Sequence, residues 1–119
     1  MKELKKIEIS TLPWVANICN QRLKEAWKSE AASIAYVEMD VDNISLFHRH
    51  KDFTEIYYVL SGQGMLCVNG QEFFVEKDVL VEIPPDVVHN LKNTGNSILC
   101  HLVISVPAFS PDDVEVLDE

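Results

Sequence analysis

From residue 34 onward the apolar residues of this chain come in short runs, mostly alternating with polar ones, and each run is cut by a turn signal. Alternation with a period of two marks a strand that lays one face on a core. The pattern predicts strands at 34–40, 44–50, 55–60, 65–68, 72–75, 79–83, 87–92 and 97–106. The breaks between them are Asp42-Asn43, Ser61-Gly62, Asn69-Gly70, Pro84-Pro85 and Asn93-Thr94-Gly95. Asn-Gly between two such runs is the strongest hairpin signal, because both residues accept the positive φ of a two-residue turn. Many short strands at this spacing predict an all-β sandwich or barrel.

The stretch from Trp14 to Ala32 reads differently. Its apolar positions Trp14, Val15, Ile18, Cys19, Leu23, Ala26 and Trp27 fall at helical spacing, which predicts a short helix or an irregular segment. The expected organisation is an N-terminal segment, residues 1–33, packed on a barrel of residues 34–107. An acidic tail, residues 108–119, follows as a solvated end, with Val114 and Leu117 tucked back.

Composition narrows the class. A length of 119 residues favours one domain with one core. A formal net charge of −9 argues against the phosphate backbone of a nucleic acid as partner, and equally against an anionic membrane surface. No apolar run reaches the length of a membrane-spanning helix. The start, MKELKKIEIS, has the lysines of a signal peptide without its apolar stretch, so the chain reads as cytoplasmic. The three cysteines, Cys19, Cys67 and Cys100, are too widely and irregularly spaced for a disulfide framework or a thiolate zinc motif. Cys67 and Cys100 read as small buried hydrophobes.

Candidate chemistry concentrates in FHRHKDFTEIYYVLSGQG, residues 47–64. Strand alternation puts Ile44, Leu46, His48 and His50 on one face, and the two aliphatic residues predict that this face is the core. By the same rule Glu55, Tyr57 and Val59 share the inward face of the next strand. A buried carboxylate costs several kcal/mol unless it is paired or bound to a metal. Two inward imidazoles beside an inward carboxylate suit a divalent transition metal: Mn, Fe, Co, Ni, Cu or Zn. His89, in IPPDVVHNLKN, shares a face with Leu91 and Asn93 and offers the third nitrogen. Asn93 itself reads as a turn or strand-end hydrogen bonder, and Arg49 points outward toward a surface acid.

The spacing of these residues resembles the cupin superfamily. Its first motif, G-x5-H-x-H-x3-4-E-x6-G, is matched by His48, His50, Glu55 and Gly62, and its second, G-x5-P-x-G-x2-H-x3-N, by Pro84, His89 and Asn93. Three glycines of the pattern are replaced: by Asp42, at Lys77-Asp78, and by Asp86. Asp is among the residues that best tolerate left-handed backbone, so the substitutions touch loop shape and no ligand. The resemblance implies a small conical antiparallel β-barrel, or jelly roll. One divalent metal would be held by His48, His50, Glu55 and His89 near its wide mouth, with two positions left open. A metal with open positions can polarise an oxygen-bearing molecule or activate water or O₂.

The expected function is a metal-dependent enzyme of isomerase, lyase or dioxygenase type, acting on a small polar, sugar-like or carboxylate-bearing molecule. The alternative is a non-catalytic ligand-binding or sensing module. Tyr57 and His101 are the candidate acid/base groups, each read also as core. Phe47, Ile56, Tyr58 and Leu60 lie opposite the ligands as an apolar outer stripe. That stripe predicts either a homodimer or cover by the N-terminal segment.

Overall fold

A computed structural model describes residues 3–16 and 21–117. Ten strands account for nearly all its regular structure, with a single 3₁₀ turn at Ile9–Thr11. In chain order they are β1 (Arg22–Lys28), β2 (Ser33–Met39), β3 (His48–Arg49), β4 (Thr54–Ser61), β5 (Gln63–Val68), β6 (Gln71–Glu76), β7 (Leu80–Ile83), β8 (His89–Asn93), β9 (Leu99–Val106) and β10 (Glu115–Val116). They form two five-stranded antiparallel sheets, β1-β2-β9-β4-β7 and β10-β3-β8-β5-β6. The all-β barrel expected from the alternation is what the chain builds.

Local chemistry explains the turns. Val68 and Gln71 pair directly across the β5–β6 hairpin. Asn69 (φ 50°) and Gly70 (φ 78°) are both left-handed, as a two-residue turn of this hand requires. Asp42 (φ 67°), Asp78 (φ 69°) and Asp86 (φ 67°) stand at the three replaced glycines and adopt the left-handed backbone a glycine would supply. Inside, Val37, Met39, Val59, Leu66, Leu91 and Leu99 are almost fully buried and join the two sheets in one core. Asn93, 0 % exposed, ties the chain together as a hydrogen bonder. Its amide donates to the carbonyls of Met39 and Ser97, and its oxygen accepts from Gly95 N–H.

Three expectations give way. The helical spacing between Trp14 and Ala32 belongs in part to strand β1, whose register with β2 shifts between Glu25 and Trp27. A bulge inserts one residue and breaks the period of two, so the apolar positions mimic a helix. Ile18 and Cys19 lie outside the described residues. Ile44 and Leu46 are exposed, not core; Ser45 points inward instead, exchanging hydrogen bonds with the backbone of Leu91. The chain becomes a regular strand only at His48, and the parity changes on the way. Cys67 and Cys100 are half-buried, on the intermediate side of the expectation.

The outer stripe of Phe47, Ile56, Tyr58 and Leu60 is half-buried. The N-terminal segment covers a neighbouring part of the same sheet. Trp14 packs on Tyr36 and lies under the cations of Lys24 and Arg22. Among the described residues no helix is long and apolar enough to cross a membrane.

Candidate metal centre

The four residues singled out by spacing come from three strands and one turn, and from both sheets. His48 on β3 pairs with His89 on β8. Glu55 enters from β4 in the facing sheet, and His50 from the turn after β3. All four are buried, none more than 5 % exposed. One donor atom from each falls within 4.8 Å of the others.

Three backbone carbonyls orient the imidazoles. Nδ1 of His48 is 2.8 Å from Leu46 O, Nδ1 of His50 is 2.6 Å from Asp113 O, and Nδ1 of His89 is 2.9 Å from Val87 O. A carbonyl only accepts, so each Nδ1 must carry the proton and each neutral ring presents the lone pair of Nε2. This is the outer support that metal-ligating histidines require. His89 Nε2 stands 3.0 Å from Glu55 Oε1. His50 Nε2 stands 3.2 Å from the same oxygen, off the axis of a hydrogen bond. A lone pair facing a carboxylate at that range is repulsive; the arrangement calls for a cation, either a proton or a metal ion. Bonds of about 2.1 Å at right angles would put neighbouring donors about 3.0 Å apart, so the spacing of these three atoms fits a metal.

The electrostatics agree. Burial favours the neutral acid of Glu55, but the contacts to His50 and His89 outweigh it and hold the carboxyl below the ordinary range. Burial, with His89 beside it, lowers the pKa of His48 to about 4, leaving a neutral ligand at pH 7. For His50 burial is more than offset by Glu55 and the Asp113 carbonyl, and its pKa is raised.

A cavity of about 310 Å³ opens over the centre, reaching His48, His50 and Glu55 at its inner end. Tyr57 lines it. Its ring lies 5.9 Å from that of His89 and 5.2 Å from that of His101, centroid to centroid. His101 does not line the cavity. It is 0 % exposed on β9, between Val37 and Val59, and neither ring nitrogen has a hydrogen-bond partner among the described residues. The expected place beside a bound molecule is not where the fold puts it.

Sequence reading missed the tail. Asp113 supplies the carbonyl for His50, and its carboxylate accepts from Lys51 N–H and Asp52 N–H, each at 2.8 Å. Two residues on, Glu115 holds Arg49 in a two-point ion pair at 2.8 and 3.0 Å, and β10 pairs with β3. The expected solvated tail is thus partly a strand behind a ligand. Phe53 also escaped notice; it is buried and stacks on His50 at 4.3 Å. No local pattern announces a contact between residues more than sixty positions apart.

Two antiparallel sheets with this cluster inside them define a cupin-like barrel. Residues 35–106 match the cupin domain model, and the chain belongs to the cupin family. A protein of Methanocaldococcus jannaschii, described only as uncharacterized, is 35% identical over 92 residues, 77% of this chain and 74% of that one. An oxalate-binding protein of Thermotoga maritima is 28% identical over 83 residues, covering 70% of this chain and 69% of its own. Among solved structures, a Streptomyces nucleoside dehydratase superposes with a TM-score of 0.81 at 16% identity, over 97% of this chain and 92% of its own. A structure described as a predicted oxalate decarboxylase of Thermotoga maritima gives 0.79 at 18% identity, over 87% and 99%. Likeness at these identities establishes the shared fold.

Proposed function

We propose that this chain is a metal-dependent enzyme acting on a small oxygen-bearing molecule, through a divalent transition metal held by His48, His50, Glu55 and His89. One observation carries the reading: three imidazoles, each fixed by a carbonyl at Nδ1, gather around one buried carboxylate, one donor atom of each within 4.8 Å of the others. When bound, the metal would supply Lewis-acid polarisation of an oxygen on the substrate. The remaining steps fall to the chain. The cavity walls exclude water and orient the molecule, and Tyr57, at the cavity surface, donates or accepts a proton at its phenol oxygen. His101, packed behind Tyr57, is a positioning residue for that ring.

The test is elemental analysis of protein purified without added metal, repeated on His50→Ala. One equivalent of a first-row metal is expected in the parent, and its loss from a variant that still folds. A variant that keeps one equivalent would defeat the assignment.

A non-catalytic binding module is the second reading, favoured by the relative whose name is oxalate-binding protein. Saturable binding without turnover across a metabolite panel would select it. We also propose a homodimer through the half-buried outer face of β4 and β9, where Ile56 meets Ile104 and Tyr58 meets Leu102. Light scattering should then give twice 13.5 kDa; a mass of 13.5 kDa contradicts it.

A further inference from the structure

We infer that the molecule taken into the cavity is an amphipathic 2-oxo or 2-hydroxy carboxylate, an anionic chelating head on an apolar body. The head rests on the metal reading above, and the body on the walls alone.

Three neutral imidazoles, one carboxylate and a divalent ion sum to a net charge of about +1, which favours an anionic head. A divalent ion held by four protein groups would accept further ligands only by expanding its coordination, as zinc can. A head with two adjacent oxygens, one from the carboxylate and one from its neighbouring carbon, suits that best.

The walls decide the rest. A volume of about 310 Å³ lies at the lower end of small-molecule sites, which run from about 300 to 1,000 Å³. Above the four-residue centre the lining is largely aliphatic and aromatic, with Leu23, Val37 and Val103 on the strand side and Phe109 and Val114 on the side of the tail. The charged side chains beyond the centre, Glu25 and Lys28, sit on exposed positions of β1 and oppose one another in sign. The uncharged polar side chains of the lining are few, Gln21, Ser33, Tyr57 and Ser105, and the hydroxyl oxygen of Ser33 already accepts from Phe109 N–H. A sugar carrying a hydroxyl on every carbon would turn several of them onto Leu23, Val37 and Val103. Each unmet hydroxyl would weaken binding roughly tenfold. Oxalate, two carboxylates with no body, would fill the inner end and leave the apolar walls facing water. A branched aliphatic or phenyl body fills that space and buries those walls.

The experiment is isothermal titration of the zinc-loaded and the metal-stripped protein with oxalate, pyruvate, 4-methyl-2-oxopentanoate and 3-phenyllactate. With zinc, affinity should rise roughly fourfold for each methylene the walls bury, so 4-methyl-2-oxopentanoate should bind at least about tenfold tighter than pyruvate. Val103→Thr keeps the shape of the wall and Leu23→Gln makes it polar; both should flatten that rise while zinc content and melting temperature stay near those of the parent. Oxalate or pyruvate binding as tightly as the longer acids overturns the inference, whatever the zinc content. An unchanged rise in both variants overturns it as well. Equal affinity for the longer acids with and without zinc keeps the apolar body but overturns the anchored head, whereas failure of the protein to take up zinc at all is what defeats the metal reading. Zinc retained with no discrimination by length leaves the metal reading standing alone.

Discussion

Three strands, β4, β8 and β9, each carry a titratable or polar side chain at the cavity end and packed aliphatic side chains beyond it, with Asn93 closing β8. On β4 the inward side chains are Glu55, Tyr57 and then Val59; on β8 they are His89, Leu91 and Asn93; on β9, from the cavity end, they are Ser105, Val103, His101 and Leu99. At one end lie the donor cluster and the cavity. At the other the backbone is closely packed around two glycines. A Cβ on Gly64 would meet Leu99 Cδ2 and Lys92 O at 2.8 Å, and one on Gly62 would meet Ile98 O at 2.7 Å. The same backbone thus carries two jobs. The closed end supplies the packing that stabilises the barrel, and the stability it supplies lets the open end bury a carboxylate and three imidazoles.

Substitution at the closed end should separate the two jobs most sharply. Leu91→Ala removes a side chain that is 1 % exposed and leaves a cavity among Leu66, Leu99 and Val59. The expected loss is about 2–5 kcal/mol of unfolding free energy, read by denaturant titration. Metal content of the protein that remains folded should not change. Loss of metal at unchanged stability would reverse the comparison.

His101 stands on the border between the ends, and it breaks the comparison in a pH-dependent way. Burial lowers its pKa from 6.5 to about 4. Its folded form therefore resists a proton that the unfolded chain accepts. The sign follows: stability is full above pH 6.5, the unfolded value, and falls as pH drops toward 4, because the unfolded state binds more protons there. One pKa unit is about 1.36 kcal/mol, so this residue alone should account for a loss of order 3 kcal/mol across that window. His101→Leu, measured as metal-free protein, should show a shallower decline between pH 6.5 and 4. A decline as steep as that of the parent would mean that other groups carry it; His48, also lowered to about 4, is the first to examine.

Much of this was legible beforehand because the cues are local. His48-x-His50, Glu55 and His89 sit at fixed offsets on alternating segments, and alternation is a property of neighbours. The left-handed turns could be read through residue type, even where Asp42, Asp78 and Asp86 stand in for glycine. The failures have physical causes of their own. The bulge in β1 imitates helical spacing, and the parity change at Ser45 exposes Ile44 and Leu46 while the histidines still point inward. The inward direction of the histidines thus does not follow from burial of Ile44 and Leu46. What no period could reveal is the tail, whose contacts with residues 49–52 depend on the whole chain returning to its start.

That return defines the smallest and most specific effect. His48 and His89 take their Nδ1 partners from two residues upstream, within their own segments, whereas His50 takes its partner from Asp113, sixty-three positions away. The Asp113 carboxylate fastens the tail by accepting from Lys51 N–H and Asp52 N–H, immediately after that histidine. These two bonds lie at an exposed surface, so losing them should change the stability of the metal-free protein by no more than about 1 kcal/mol. The carbonyl, however, sets the tautomer and tilt of His50. Removing such support under a ligating histidine typically weakens metal binding about 10- to 100-fold. Asp113→Ala should therefore lower zinc affinity by that factor in a competition titration with a chelator, at a nearly unchanged melting temperature of the metal-free form. Asp113→Asn removes the same charge but keeps one accepting oxygen, and should recover part of the affinity. If Asp113→Ala binds zinc as tightly as the parent, the tail only packs against the barrel and His50 is oriented without it.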